Sequence, residues 1–283
     1  MSTEDQEHRR NKFVQLLSLL TGAESAVLAF SGGVDSSFLL RAMKMAGMRF
    51  LAVTGCSETL PEKDVRQAVS FAEREDAEHR VIRTGEMQNE SFIANPPDRC
   101  FYCKQDLFRR LRDIAENENY RCIFDGSNAD DLNDYRPGIK AAALYAVRSP
   151  LAESSLSKQD VRLISKDLGL ETWDRPASPC LSSRFPYGQR ITANLLKRVE
   201  KAEEFIKNLG ITTVRVRVHQ DMARIEVPEN DLSFFLEKDV RHRVADALRA
   251  LGFGFVSLDL EGFRSGSMNR SLPREVLQNR DSL

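Results

Sequence analysis

Ala26-Val27-Leu28-Ala29-Phe30-Ser31-Gly32-Gly33-Val34-Asp35-Ser36-Ser37 is the stretch that decides the fold. A short apolar run stops at Ser-Gly-Gly, and a helical pattern over 36–47 begins directly behind it, which reads as buried strand, tight turn and helix. At such a turn successive backbone N–H groups and the helix dipole point outward at one spot, and that is a phosphate site. The two glycines allow close approach of the backbone. Ser31, Ser36 and Ser37 add hydroxyl donors, and Asp35 can hold Mg²⁺ against the phosphates. The pattern lacks the Gly-Lys-Ser/Thr end of a Walker A loop and is not the G-x-G-x-x-G fingerprint. Capping by Asp35 or Ser36 alone would account for one residue and leave the rest of the arrangement unexplained.

Working outward, a helical stretch at 12–20 precedes this unit, and three further apolar runs follow it at 50–55, 79–84 and 121–127. Helical patterns at 36–47, 61–76 and 104–118 separate them, with Pro61 at a helix start and Gly47 at a helix end. Strand-helix alternation of this length predicts right-handed crossovers, and hence an α/β fold with a parallel sheet covered on both faces. Ligands of such folds bind beyond the carboxyl ends of the strands, where Thr54 and Gly126 are assigned to the nucleotide set with the loop residues. A polar region at 128–138 leads to helices near 139–147 and 157–168, the second opened by Ser157 with Asp160.

From Thr192 the period changes. An amphipathic helix to about 208, alternating strands at 213–218 and 223–227, a helix at 238–250 and a strand at 255–260 predict a small α+β unit. The boundary is placed near Gly188, giving domains 1–188 and 189–283.

Composition bounds the function. The 283 residues carry 41 Lys and Arg against 42 Asp and Glu, a net charge of −1, which removes the whole-molecule electrostatic argument for nucleic acid or an anionic membrane. No apolar run is long enough to span a bilayer, and the first residues lack the order of a signal peptide, so the expectation is a cytoplasmic protein. Five cysteines (Cys56, Cys100, Cys103, Cys122, Cys180) are too few and too scattered for a disulfide framework. Cys56 and Cys122 lie in or beside apolar strand patterns and read as packing residues. Cys180 sits in a proline- and serine-rich loop with Arg175 and Arg184 nearby, a setting that favours thiolate.

Asp130, Asp131 and Asp134 crowd the loop after a strand end, where they can position Mg²⁺ or substrate or simply form a solvated turn; Asp131 is preferred by its place in the motif. Arg136 can bind phosphate or carboxylate through its bidentate fork, or clamp the aspartates. Along residues 213–219 the valines face one way, while Arg215, Arg217 and His219 face the other at ~7 Å spacing. A row of guanidinium groups suits an anionic substrate. Glu203 and Glu226 are metal or salt-bridge candidates, and Trp173 and Tyr102 can stack on a ring or pack in a core.

The SGGVDS loop resembles that of the PP-loop ATP pyrophosphatases, which cleave ATP between the α- and β-phosphates and adenylate a carboxylate or carbonyl oxygen. RCFYCK at 99–104, DGSNADDLNDYRPG at 125–138, SPLAE at 149–153 and PASPCLSSRFPYG at 176–188 together resemble the LarE family, and RVRVH at 215–219 and ARIEV at 223–227 are similar as well. The resemblance spans most of the chain. It implies an ATP-dependent sulfur transferase that makes pyridinium-3,5-bisthiocarboxylic acid mononucleotide, precursor of the nickel-pincer cofactor of lactate racemase. The implied substrate is the pyridinium dicarboxylate mononucleotide, and the implied assembly is a homo-oligomer.

The resemblance makes Cys180 the sulfur-handling residue, and it makes Asp35 and Asp131 catalytic. Arg136, Arg184, Arg215 and Arg217 become the substrate-binding set. In one branch of the family the cysteine gives up its own sulfur and ends as dehydroalanine. In another, three cysteines hold a [4Fe-4S] cluster, and Cys100, Cys103 and Cys180 match that pattern; two thiolates from one turn and one distant thiolate can ligate three irons, leaving the fourth open to sulfide from a separate donor. Zinc would want a fourth ligand, whereas His8, His79, His219 and His242 lie outside these motifs. A persulfide relay and three inert thiols stay open beside the cluster. Thiolation of tRNA by a related PP-loop enzyme is the rival activity, disfavoured by the near-zero net charge and the lack of an RNA-binding appendage.

Overall fold

The computed structural model describes residues 3–133 and 137–264. In chain order its elements are α1 (Thr3–Ala23), β1 (Ser25–Ala29), α2 (Val34–Met45), β2 (Arg49–Cys56), α3 (Glu62–Arg74), β3 (His79–Arg83), α4 (Glu90–Ile93), α5 (Arg99–Asn117) and β4 (Cys122–Phe124). These are followed by α6 (Gly138–Leu144), β5 (Val147–Arg148), α7 (Pro150–Glu153), α8 (Lys158–Asp167), α9 (Ala193–Asn208), β6 (Arg215–His219), β7 (Met222–Glu226), α10 (Lys238–Ala250) and β8 (Phe255–Leu258). Short 3₁₀ turns join several of them.

Two compact units result, one of Met1–Glu86 with Cys100–Ser178 and one of Met87–Arg99 with Pro179–Leu283. The sequence division at 188 had counted 87–99 and 179–188 with the first domain.

In the first unit five parallel strands run in the order β3-β2-β1-β4-β5. β1 alternates its side chains between two cores. Ala26, Leu28 and Phe30 pack with Leu16, Phe38, Leu39 and Ile164 on one face; Val27 and Ala29 pack with Phe108, Leu111 and Ala141 on the other. Burial on both faces is why this strand reads as a continuous apolar run. The chain steps outward from β1 to β2 and β3, then returns to the other side of β1 as β4 and β5, so the order reverses between β1 and β4. Such a switch point leaves a crevice at the carboxyl ends of the two strands.

Ser157 opens α8 with a reciprocal capping box to Asp160. Gly47, at φ +65°, closes α2 as read from sequence.

The second unit has a three-stranded sheet in the order β6-β7-β8, with β6 antiparallel and β8 parallel to β7. Val216, Val218, Ala223 and Ile225 are buried in it along with Leu196, Val199 and Ile206 of α9. The segment 87–99 joins this unit through Ile191 N–H, which donates to the Ile93 carbonyl at 2.8 Å, and Asn95 Nδ2, which donates to the Pro186 carbonyl at 2.7 Å.

Candidate functional site

At the β1/β4 switch point lies a cavity of about 190 Å³ lined by Ser31, Gly33, Asp35 and Ser36 from the loop after β1, by Asp125, Gly126, Ser127 and Asp131 from the loop after β4, and by Lys104 of α5. The glycines set its shape. Gly32 is in the left-handed region at φ +69°, and a Cβ there would stand 2.9 Å from Ala68 Cα on α3. At Gly126 a Cβ would stand 3.0 Å from the Ser36 nitrogen, so the loop after β4 reaches the first turn of α2 only because the side chain is missing.

Within the loop, Ser36 Oγ donates to the Gly33 carbonyl at 3.3 Å and lies 3.1 Å from Ser31 Oγ. Asp35 is held between Lys158 Nζ and Asn128 Nδ2, the latter at 3.2 Å. Asp131 Oδ2 accepts from the Asn128 backbone N–H at 3.1 Å. Asp125 accepts from Ser127 Oγ at 2.9 Å and Ser149 Oγ at 2.7 Å. Backbone donors, hydroxyls and the first turn of α2 thus converge on a space that one lysine borders, which is an arrangement for phosphate with a carboxylate in reach of its counter-ion.

Six residues assigned from sequence come together here: Ser31, Gly33, Asp35, Ser36, Gly126 and Asp131. Gly32 backs the loop onto α3. Ser37 is fully buried, and its hydroxyl has no hydrogen-bond partner among the described residues. Thr54 is also buried; its hydroxyl donates to the Phe30 carbonyl at 2.8 Å and lies 2.8 Å from His79 Nε2, so it braces the strand before the loop and is not among the residues that line the cavity. Arg136 and Asp134 lie outside the described residues.

Sequence reasoning missed Lys104, Lys158, Asn128 and Asp125. Lys104 ends the RCFYCK motif and shares a helix face with Cys100 four residues before it, which was a usable signal. Lys158, more than a hundred residues from Asp35, gave none.

The cysteines divide between the units: Cys100, exposed, and Cys103, half-buried, lie one turn apart on α5, while the half-buried Cys180 belongs to the second unit. Cys56 and Cys122 are half-buried thiols at strand ends. Among the described residues no three His, Cys, Asp or Glu side chains converge as a metal site.

In the second unit Arg184 is 1% exposed and makes a bidentate pair with Glu203, at 2.8 and 3.0 Å; it also donates to the Pro179 and Cys180 carbonyls at 2.7 and 2.9 Å. These bonds hold the backbone at Cys180. Burial pushes the Glu203 carboxyl up, but Arg184 with Arg215 and Lys207 outweighs it and holds the group below its ordinary value.

Arg217 pairs with Glu226 at 2.8 Å and donates to the Ser183 carbonyl, and Arg215 donates to the Val214 carbonyl and lies over the Phe263 ring. The expected row of anion-binding arginines is therefore a buried row, and for Glu203 and Glu226 the salt-bridge alternative is the one found. Tyr102 packs against Phe101, and Lys166 lies over Trp173.

A parallel sheet with a glycine-rich phosphate loop at its switch point, followed by a small α+β unit, defines a PP-loop nucleotide-binding protein. No protein-family model matches the sequence. An uncharacterized protein of Synechocystis is 42% identical over 93% of this chain and 99% of its own length. The pyridinium-3,5-bisthiocarboxylic acid mononucleotide synthase of Lactiplantibacillus plantarum is 39% identical over 94% of this chain and 96% of its own length. An uncharacterized protein of Methanocaldococcus jannaschii is 31% identical over 84% and 90%. The chain belongs to the LarE family of sulfur-transferring synthases. Among the described residues no helix is long and apolar enough to cross a membrane.

Proposed function

We propose that this protein is an ATP-dependent sulfur transferase that converts the carboxylates of pyridinium-3,5-biscarboxylic acid mononucleotide into thiocarboxylates, in the biosynthesis of the nickel-pincer cofactor of lactate racemase. The observation that carries it is the cavity built by Ser31–Ser36 and Asp125–Asp131, in a chain with 39% identity to a synthase of that name. A bare carboxylate is a poor electrophile. Its oxygen attacks the α-phosphorus of ATP and expels pyrophosphate, giving an acyl-adenylate; a sulfur nucleophile then adds to the carbonyl and expels AMP. Backbone N–H groups of the loop and Lys104 offset the charge on the phosphates, and in-line positioning supplies the remaining rate.

Mg²⁺ is assigned to the same cavity. It usually takes one or two carboxylates and the phosphate oxygens, so Asp35, with Asp125 and Asp131 lining the same cavity, would hold it without a dedicated cage. There it would neutralise phosphate charge.

Cys180 is the sulfur-handling residue of this reading. If its own Sγ attacks, the thioester that forms breaks at the cysteine Cβ–S bond, with loss of the Cα proton, leaving thiocarboxylate and dehydroalanine. The [4Fe-4S] assignment to Cys100, Cys103 and Cys180 belongs to the same reading. The described side chains do not present a preformed ligand group, so the support is the C-x-x-C pair on one turn of α5 and the family pattern; a bound cluster would supply an open iron for exogenous sulfide. Oligomerisation joins the reading on family grounds, and a cytoplasmic location on five cysteines too few and too scattered for a disulfide framework.

Replacing Cys180 with Ser tests it. Pyrophosphate release with the mononucleotide should persist and thiocarboxylate formation should vanish. Normal thiocarboxylate formation by the variant contradicts the assignment.

A further inference from the structure

The peptide between Gly32 and Gly33 has different partners on its two sides. Gly33, whose N–H it carries, lines the cavity, and among the described residues that N–H has only a long 3.4 Å contact to Ser31 Oγ. Its carbonyl, on Gly32, accepts from Arg175 Nη1 at 2.7 Å. Because a trans peptide is planar, the two groups point in opposite directions, and fixing one aims the other. A guanidinium on the carbonyl also polarises the N–H into a stronger donor. Gly32 has no side chain to restrain the peptide, so its orientation rests on what holds the carbonyl.

Arg175 is itself braced. Its own carbonyl accepts from Arg162 Nη2 at 2.9 Å, and the Trp173 carbonyl accepts from Arg162 Nη1 at 3.0 Å. Three residues on, Ser178 Oγ donates to Asp64 Oδ2 at 2.7 Å in the first turn of α3, the helix whose Ala68 backs Gly32. The segment 173–178 is thus tied to the phosphate loop at one point and to the helix behind that loop at another. The next residues of the chain are Pro179 and Cys180.

We infer that Arg175 and Ser178 are positioning residues: Arg175 aims the Gly33 N–H at nucleotide phosphate, and Ser178 holds the far end of the same strap, so that the chain entering Cys180 responds to occupancy of the loop. The second half of this inference rests on the sulfur-transfer reading; the first does not.

Two measurements separate them. Calorimetric titration of the full chain with Mg·ATP, without acceptor, should show about tenfold weaker binding for Arg175→Ala, the loss expected of one charge-assisted hydrogen bond. Arg175→Lys should recover part of it, and Ser178→Ala should bind as wild type does. Thiocarboxylate formed per pyrophosphate released should fall roughly fivefold in Ser178→Ala, with pyrophosphate release itself unchanged. A folded Arg175→Ala protein that binds ATP as wild type does, or a Ser178→Ala protein with undiminished coupling, overturns the inference. If wild type makes no thiocarboxylate while Arg175→Ala still weakens ATP binding, the sulfur-transfer reading and the Ser178 half fall, and the aim of Arg175 at phosphate is upheld.

Discussion

Adding one methyl group at Gly126 probes the geometry of the phosphate cavity. In Gly126→Ala the new Cβ meets the Ser36 nitrogen at 3.0 Å, Ser36 Cα at 3.2 Å and the Asp35 carbonyl carbon at 3.3 Å. Carbon atoms settle near 3.5–4.0 Å, so the loop after β4 and the first turn of α2 must part by roughly half an ångström. All three neighbours are backbone atoms, and no rotamer change relieves the contact. Overpacking of this kind costs about 1–3 kcal/mol. The displacement also lengthens the 3.2 Å hydrogen bond from Asn128 to Asp35, which has little room before it is lost. Since a misplacement of about 1 Å can cost ~100-fold in a positioned site, half of that should weaken Mg·ATP binding about tenfold.

Urea unfolding and ATP titration read the two effects separately. Gly22→Ala is the matched control, because a Cβ there meets nothing within 4 Å on an exposed helical turn; it should stabilise the protein by about 0.4–1 kcal/mol. A Gly126→Ala protein with wild-type stability and wild-type ATP affinity would refute the close approach of the two loops.

Removing one member of the buried Arg184–Glu203 pair, as in Glu203→Ala, should destabilise the protein by about 3–5 kcal/mol in urea unfolding, because the arginine is left charged and buried; Arg184→Met with Glu203→Leu should recover most of it. Asp35→Asn should cut pyrophosphate release by about 100-fold or more if Asp35 holds the metal of Mg·ATP, measured in a coupled phosphate assay. Burial holds the His79 imidazole below its ordinary value of 6.5, against a smaller upward pull from Glu73. The unfolded chain therefore binds more protons between the folded value and 6.5, so stability should fall as pH drops below about 6.5, and His79→Gln should flatten that slope. Anaerobically purified protein should carry about four irons with acid-labile sulfide, and Cys103→Ala should lose them; iron-free wild type under those conditions removes the cluster and leaves Cys180 donation.

Local features were legible and distant ones were not. The unit β1-loop-α2 could be read directly because a strand buried on both faces, a glycine turn and a helix start leave marks within a dozen residues. The partner loop after β4 was legible in part for the same reason, through Gly126, Asp130 and Asp131 crowding a strand end, while Asp125 and Asn128 within it were not. β5, at two residues, is too short to carry a pattern. Residues 87–99 join the second unit through hydrogen bonds to positions about a hundred residues away, which no window can reveal. Alternation placed Arg215 and Arg217 on one strand face, but it does not distinguish a face open to solvent from one closed by Glu226 on the neighbouring strand. Thr54 shows the same limit: a hydroxyl at a strand end suits a ligand or the carbonyl of the strand beside it, and only the folded chain shows that it donates to the Phe30 carbonyl.

The most direct test is product analysis by mass spectrometry after the full chain is incubated anaerobically with ATP, Mg²⁺, sulfide and pyridinium-3,5-biscarboxylic acid mononucleotide. The account predicts a product in which carboxylate oxygen has been replaced by sulfur, with one AMP and one pyrophosphate released for each replacement. Release of ADP and phosphate, or an unaltered dicarboxylate beside a protein that binds ATP, would contradict it.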